Sequence, residues 1–142
     1  MKNIVFSILL SLVCAFAPLG VHAETPNHLD GVIDKYFKGK SLTKSDDITF
    51  DVAKRALDGT QVPFKFTANK KYKNISVVVE GNPHQLPGIG SLALTMHPKV
   101  APFTFETNIR MEQDSYIDVI AEDDEGKFFY NQVAIRSAGG CS

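Results

Sequence analysis

From residue 48 onward, apolar side chains recur at every second position. Ile48, Phe50 and Val52 alternate with Thr49 and Asp51, and Val62, Phe64 and Phe66 with Pro63 and Lys65. The same period continues through Ile75, Val77 and Val79, then Leu92, Leu94 and Met96, then Phe103, Phe105, Thr107, Ile109 and Met111. Ile117, Val119 and Ala121 follow, and Phe129, Val133 and Ile135 close the series. A repeat of two belongs to a pleated strand, whose successive side chains point to opposite faces. Turn chemistry separates the runs at Leu57-Asp58-Gly59, Gly81-Asn82-Pro83, His97-Pro98 and Asp124-Glu125-Gly126. About seven short strands so spaced predict an all-β fold, a two-sheet sandwich of immunoglobulin type. Pro63 inside its run predicts an edge strand or a bulge, because proline donates nothing to a ladder. No cysteine pair and no tryptophan pins the core, so the domain is not antibody-like in the strict sense.

Ahead of the strands the period changes. Leu29, Val32, Ile33, Tyr36 and Phe37 lie on one face of a helix. Asn27 is its candidate N-cap and Gly39 its stop. This short helix is expected over the edge or end of the strands. Further back, Lys2 precedes an almost wholly apolar or small stretch from Ile4 to Leu19, and Val21-His22-Ala23 suits a cleavage site. Residues 1–23 therefore read as a secretory signal peptide cut after Ala23. The run is too short, and too broken by Pro18 and Gly20, for a permanent anchor. The expected organisation is 1–23 signal peptide, 24–46 helix and linker, 47–136 sandwich and 137–142 C-terminal arm.

Charge and motifs exclude more than they assign. Removal of the leader takes away Lys2 and no acid, leaving 14 basic and 16 acidic residues, a net charge of −2. That balance gives no electrostatic reason to bind nucleic acid, and no segment of the body is a membrane span or a basic amphipathic helix. His28, His84 and His97 with Met96 and Met111 form no recognised metal spacing. Asp123-Asp124-Glu125 lacks the ligand spacing of a calcium loop and reads as a solvated turn. Asn74-Ile75-Ser76 matches a glycosylation acceptor only as a tripeptide, and the stretch 82–88 reads as a strand connection. There is no nucleophile–base pair, paired-carboxylate motif or phosphate loop, so no catalytic residue and no metal or other cofactor is expected.

The remaining chemistry is in the tail. Cys14 leaves with the leader, so Cys141 is the one thiol of the exported chain. A single cysteine in an oxidising compartment cannot pair within its own chain; it serves another molecule's sulfur or stays a thiol. Ser137-Ala138-Gly139-Gly140 leads to it, and the two glycines make a flexible and thin arm, able to enter a narrow cleft. With a pKa of about 8.5, only a few per cent of such a thiol is thiolate near neutral pH. The neighbouring Ser142 carboxylate opposes ionisation, and Arg136 could favour it only if the arm folds back. Cys141 is thus expected to be an attachment point on which other proteins act.

Taken in order, Ile48-Thr49-Phe50 through Gly59 to Val62-Pro63-Phe64, Gly81-Asn82-Pro83, Thr107-Asn108-Ile109-Arg110, Gly126-Lys127-Phe128 and Gly139-Gly140-Cys141 resemble the SoxY family. These are sulfur-carrier subunits of the bacterial periplasmic thiosulfate-oxidising system, and the resemblance runs from about Ile33 to Ser142. It implies a carrier and not an enzyme, with Cys141 holding sulfur as S-thiosulfonate or persulfide and Gly139 and Gly140 forming the swinging arm. It implies a SoxZ-like subunit as heterodimer partner. It also implies a c-type cytochrome that couples thiosulfate to the cysteine, a hydrolase that releases sulfate and a sulfur dehydrogenase. Many members end Gly-Gly-Cys-Gly-Gly, whereas Cys141 is followed here by Ser142. The Gly-Gly-Cys-Ser ending also resembles that of relatives encoded with quinoprotein alcohol dehydrogenases, a resemblance that keeps an accessory carrier with a different cargo as the alternative. A structural sandwich linked through Cys141 into a disulfide homodimer is the alternative from another class.

Overall fold

The computed structural model describes residues 24–81 and 92–137. The leader 1–23, the connection 82–88 and the arm residues Gly139, Gly140 and Cys141 lie outside the described residues. Within them the chain forms one helix, α1 (Leu29–Tyr36), and nine strands: β1 (Leu42–Lys44), β2 (Ile48–Phe50), β3 (Arg55–Ala56), β4 (Val62–Ala68), β5 (Asn74–Val79), β6 (Leu92–Met96), β7 (Phe103–Ile109), β8 (Ser115–Glu122) and β9 (Phe128–Ser137).

Every one of the seven period-two runs is a strand, and two short strands add to them. The larger sheet has the order β1-β9-β8-β5-β6, with β3 also pairing β9; the smaller has the order β2-β4-β7. β1 and β3 escape the period because each is only two or three residues long, too short to show an alternation. Both run parallel to β9. Between them the chain crosses to the other sheet as β2, antiparallel to β4. The side chain of Asn131 bridges this crossing by donating from Nδ2 to the Ile48 carbonyl at 2.6 Å. One N-terminal stretch thus borders both sheets and closes that side of the sandwich.

The core is what the alternation demands. Along β4, Val62, Phe64, Phe66 and Ala68 are buried, while Pro63 is exposed and Lys65 and Thr67 are half-buried. Phe64 and Phe66 pack in one cluster with Ile75 and Val77 of β5, Ile117 and Val119 of β8 and Ile135 of β9. Phe50, Phe64, Phe66 and Phe105 form a chain of tilted ring contacts with centroids 6.0 Å apart. Phe64 and Phe66 are fully buried, and each contributes roughly 1.5–3 kcal/mol of transfer free energy.

Three expectations need correction. The helix does not lie over an edge or end: Val32 is fully buried against Val78 and Ile120 on the outer face of the larger sheet. β5 and β8 are therefore covered on both faces, which is why buried residues run unbroken from Ile75 to Val79 and from Ile117 to Ala121. The helix N-cap is His28, without a side-chain cap bond; Asn27 instead accepts the Leu29 amide at 3.1 Å. Gly39 does end the helix, at φ +69° with its amide bonded to the Ile33 carbonyl. Pro63 sits on the central strand of the smaller sheet rather than on an edge strand. Its backbone faces the side of β2, as does that of Lys65, whose carbonyl accepts the Asp51 amide at 3.0 Å. The β2 register ends at Phe50 opposite Phe66, so the ladder is already open where proline removes a donor.

Candidate functional site

The described chain stops four residues short of Cys141, and the structure shows how that point is held. Ile135 is fully buried, Arg136 is exposed, and Ser137 ends β9. On one side β8 pairs Ser115 with Ile135. On the other, β3 runs parallel with Arg55 opposite Arg136 and Ala56 opposite Ser137. The Arg136 amide donates to the Lys54 carbonyl at 2.9 Å. The Ser137 amide donates to Asp114 Oδ1 at 2.8 Å. These bonds fasten the last strand on both edges up to its final residue, so whatever follows Ser137 starts from a fixed root.

The turn Leu57-Asp58-Gly59 packs against that root. The Met111 amide donates to the Gly59 carbonyl at 2.7 Å. A Cβ on Gly59 would collide with the Met111 carbonyl and the Ser137 Oγ, so only glycine permits this close approach. The Thr60 hydroxyl and amide both donate to Asp58 and hold its carboxyl below the usual carboxylate range. Leu57, in contrast, is 87% exposed.

Two grooves flank β3 at the root, and Arg55 borders both. One, of about 410 Å³, is lined by Val52, Leu57, Val62 and Pro63 together with Asp51 and Asp58. The other, of about 580 Å³, is lined by Lys54, Arg55, Arg136 and Tyr116, with Glu24 as its one carboxylate. None of these three cations makes an ion pair among the described residues.

A second polar cluster lies under α1. Glu80 and Asp118 are both fully buried. They sit on the outer face of β5 and β8, where Val78 pairs with Asp118 and the Glu80 amide donates to the Tyr116 carbonyl. Burial, then the hydrogen bond and charge of Glu80, push the Asp118 carboxyl up to about 9, against an opposing hydrogen bond from Gln132. Asp118 is therefore protonated at neutral pH. Glu80 Oε1 and Asp118 Oδ2 have no other partner among the described residues, and a proton shared between the two carboxyls accounts for both. The remaining oxygens tie down the segment ahead of the helix. Glu80 Oε2 accepts the His28 amide at 2.6 Å, and Asp118 Oδ1 accepts from Gln132 Nε2, which is bonded in turn to Asn27. The dyad is bonded to the His28 amide and to the half-buried Gln132, and it lines neither groove at the root.

The other sequence candidates find structural places. Met96 is packed at the core and Met111 is buried. His97 Nδ1 bonds Asn74 Oδ1 at 2.6 Å, and Asn74 Nδ2 donates to Glu122, so the acceptor tripeptide begins inside a paired strand. Asp123 Oδ1 accepts the amides of Glu125 and Lys127 at 2.9 Å each, and Gly126 takes φ +77°, which is a hairpin turn. Among the described residues no group of His, Cys, Asp and Glu is arranged to hold a metal ion, and no helix is long and apolar enough to cross a membrane. Sequence reasoning missed Lys54, Arg55, Gly59 and Asp114 at the root, since only strand pairing brings them together. It also missed Glu80 and Asp118, although an acid within Val77-Val78-Val79-Glu80 and within Ile117-Asp118-Val119 is a readable signal of a buried polar pair.

Residues 33–141 match the family model described as Sulfur oxidation protein SoxY. Among solved structures, the sulfur carrier protein SoxY from Chlorobium limicola f thiosulfatophilum superposes with a TM-score of 0.63 at 18% identity, covering 78% of this chain and 96% of that one. Superoxide reductase (neelaredoxin) from Ignicoccus hospitalis shares the fold more loosely. One point variant of it gives a TM-score of 0.50 at 8% identity over 76% of this chain and 90% of that one. A second point variant gives 0.51 at 8% over 71% and 84%. A search of curated proteins returned no match.

Proposed function

The chain belongs to the SoxY family of sulfur oxidation proteins, and on that premise we propose that it carries sulfur covalently on Cys141 while other proteins perform the chemistry. The observation that carries this reading is the extent of the family match, which runs through residue 141 and so takes in the cysteine itself. The superposed Chlorobium protein is a sulfur carrier, and the fixed root at Ser137 supports the reading from the side of mechanism. A strand fastened on both edges, followed by Ala138-Gly139-Gly140, delivers a thiol on a short tether of known origin. Four residues of extended chain reach about 14 Å from Ser137 to Cys141.

The chain is a carrier and not a catalyst, and it needs no resident cofactor. In the loading step the Cys141 thiol and thiosulfate join through a new sulfur–sulfur bond. The two electrons released pass to a c-type cytochrome and the thiol proton passes to solvent. Hydrolysis by a partner then places water's oxygen on the terminal sulfonate sulfur, which leaves as sulfate, and the persulfide stays on Cys141 for a sulfur dehydrogenase. Gly139 and Gly140 keep the tether narrow enough for these active sites. The protein acts in the periplasm, exported by residues 1–23, beside a SoxZ-like subunit.

Intact-mass measurement on protein taken from cells growing on reduced sulfur tests this. Sulfur and thiosulfonate adducts are expected, and all should vanish in Cys141→Ala. A disulfide homodimer as the sole modified species would overturn the carrier reading in favour of a structural one.

A further inference from the structure

The root of the arm holds an arrangement that costs stability and that no partner within the described protein relieves. Arg55 and Arg136 stand directly opposite each other across the β3–β9 pair, so their side chains leave the sheet on the same side. Like charges so placed repel. Lys54, whose carbonyl accepts the Arg136 amide, adds a third cation to the same groove of about 580 Å³. Glu24 is the one carboxylate in its lining, and the nearby Asp114 is bonded to the Ser137 amide. A guanidinium cannot relieve the repulsion by losing its proton. The exported chain as a whole is net anionic, so this cluster is a local reversal of the molecule's charge.

We propose that Lys54, Arg55 and Arg136 form an anion-collecting site that draws free dianionic sulfur oxyanions to the root of the arm, within reach of Cys141. The proposal rests on the carrier reading for its cargo but on the charge arrangement for its site. A groove lined by one sign of charge concentrates counter-ions of the other. Guanidinium forks match the planar oxygen edges of an oxyanion. Four residues of chain span at most about 14 Å, so Cys141 is bonded within that reach of the strand end that carries Arg136. Tyr116, also in the lining, presents a phenol at the same groove.

The test compares two thiol reagents of opposite charge on full-length protein carrying Cys14→Ser, so that Cys141 is the sole thiol. Tetrathionate is a dianion. The Cys141 thiolate attacks one of its inner sulfurs, thiosulfate leaves with the electron pair of the broken sulfur–sulfur bond, and the protein keeps an S-thiosulfonate. Cystamine is a dication and reacts by the same exchange, releasing cysteamine thiolate. The ratio of the two rates cancels any change in the thiol's own ionisation.

At an ionic strength near 10 mM, where charges act over roughly 30 Å, the triple variant Lys54→Gln/Arg55→Gln/Arg136→Gln should lower the tetrathionate-to-cystamine ratio by about tenfold. The difference should close at 1 M salt, where screening acts within about 3 Å. The charge-preserving variant Arg55→Lys/Arg136→Lys should keep the ratio close to that of the parent. An unchanged ratio in the triple variant overturns the proposal, as does a fall that persists at 1 M salt. Neither result bears on the adducts found in cells. Loss of those adducts with the ratio still charge-dependent would sink the carrier reading and leave the anion site standing.

Discussion

Two like-charge pairs in this molecule are resolved in opposite ways. Glu80 and Asp118 are fully buried beneath α1, where two carboxylates cannot both ionise, and a proton held on Asp118 makes the pair a hydrogen bond. Arg55 and Arg136 lie opposite one another at the exposed end of β9, and no proton can leave to relieve them. The first pair is satisfied inside the fold and anchors the approach to the helix through the His28 amide. The second is satisfied by nothing in the described protein. A like-charge pair that a proton neutralises is a structural device; one that cannot be neutralised is a reason to look for a ligand.

Removing half of the buried pair should have the largest effect. Asp118→Ala leaves Glu80 buried without its shared proton and takes from Gln132 one of its two acceptors. It should cost about 2–4 kcal/mol in urea unfolding at pH 7, and a loss below about 0.5 kcal/mol, the scale of an ordinary surface substitution, would dissolve the comparison. Next comes the glycine packed against Ser137. Gly59→Val forces a side chain into the Met111 carbonyl and Ser137, and should cost about 1–3 kcal/mol. Amide exchange at Ser137 should rise with it, because the Asp114 bond loses its register.

The third test concerns pH and has a definite sign. Because the folded carboxyl of Asp118 lies above its ordinary value, at about 9, the folded state binds the extra proton throughout the interval between the two. Its stabilisation is complete below the unfolded value and is lost as pH rises toward 9, at up to about 1.4 kcal/mol per pH unit. Asp118→Asn keeps a donor to Glu80 without the titration. Melting curves from about pH 5 to pH 9, the span over which the extra proton is held, should therefore fall more steeply for the parent than for the variant. Parallel curves would mean that no proton is shared. The smallest effect belongs to the exposed pair. Arg136→Gln should stabilise the fold by about 0.5 kcal/mol or less, the opposite sign from the buried pair, and a loss of stability would mean that the arginines pair with something in the fold.

How much of this was legible depends on how local each feature is. All seven strand runs are visible in Ile48-Thr49-Phe50 and its successors because alternation follows from the pleat of each strand by itself. The helix is visible in Leu29, Val32, Ile33 and Tyr36 for the same reason at a different period. The expected edge seat fails because Val78 and Ile120 break the alternation of β5 and β8 and call for a second cover. β3 could not be seen: Arg55-Ala56 carries no period, and it is a strand only because β9 lies beside it. The choice of Cys141 as the proposed attachment point comes from residue counts alone, while the residues that hold the end of β9 have no local signal.

By itself the sequence determined a β-rich body, a helix ahead of it and a cysteine, Cys141, behind two glycines. Those features are set by residue type and by spacing along a short stretch, which the backbone's own geometry translates directly. Only the tertiary structure decided that Arg55 meets Arg136, that Glu80 meets Asp118, and that α1 covers a face rather than an edge. Each depends on which distant strands become neighbours, and that choice is made by burying the core as a whole, not by any segment that takes part in it.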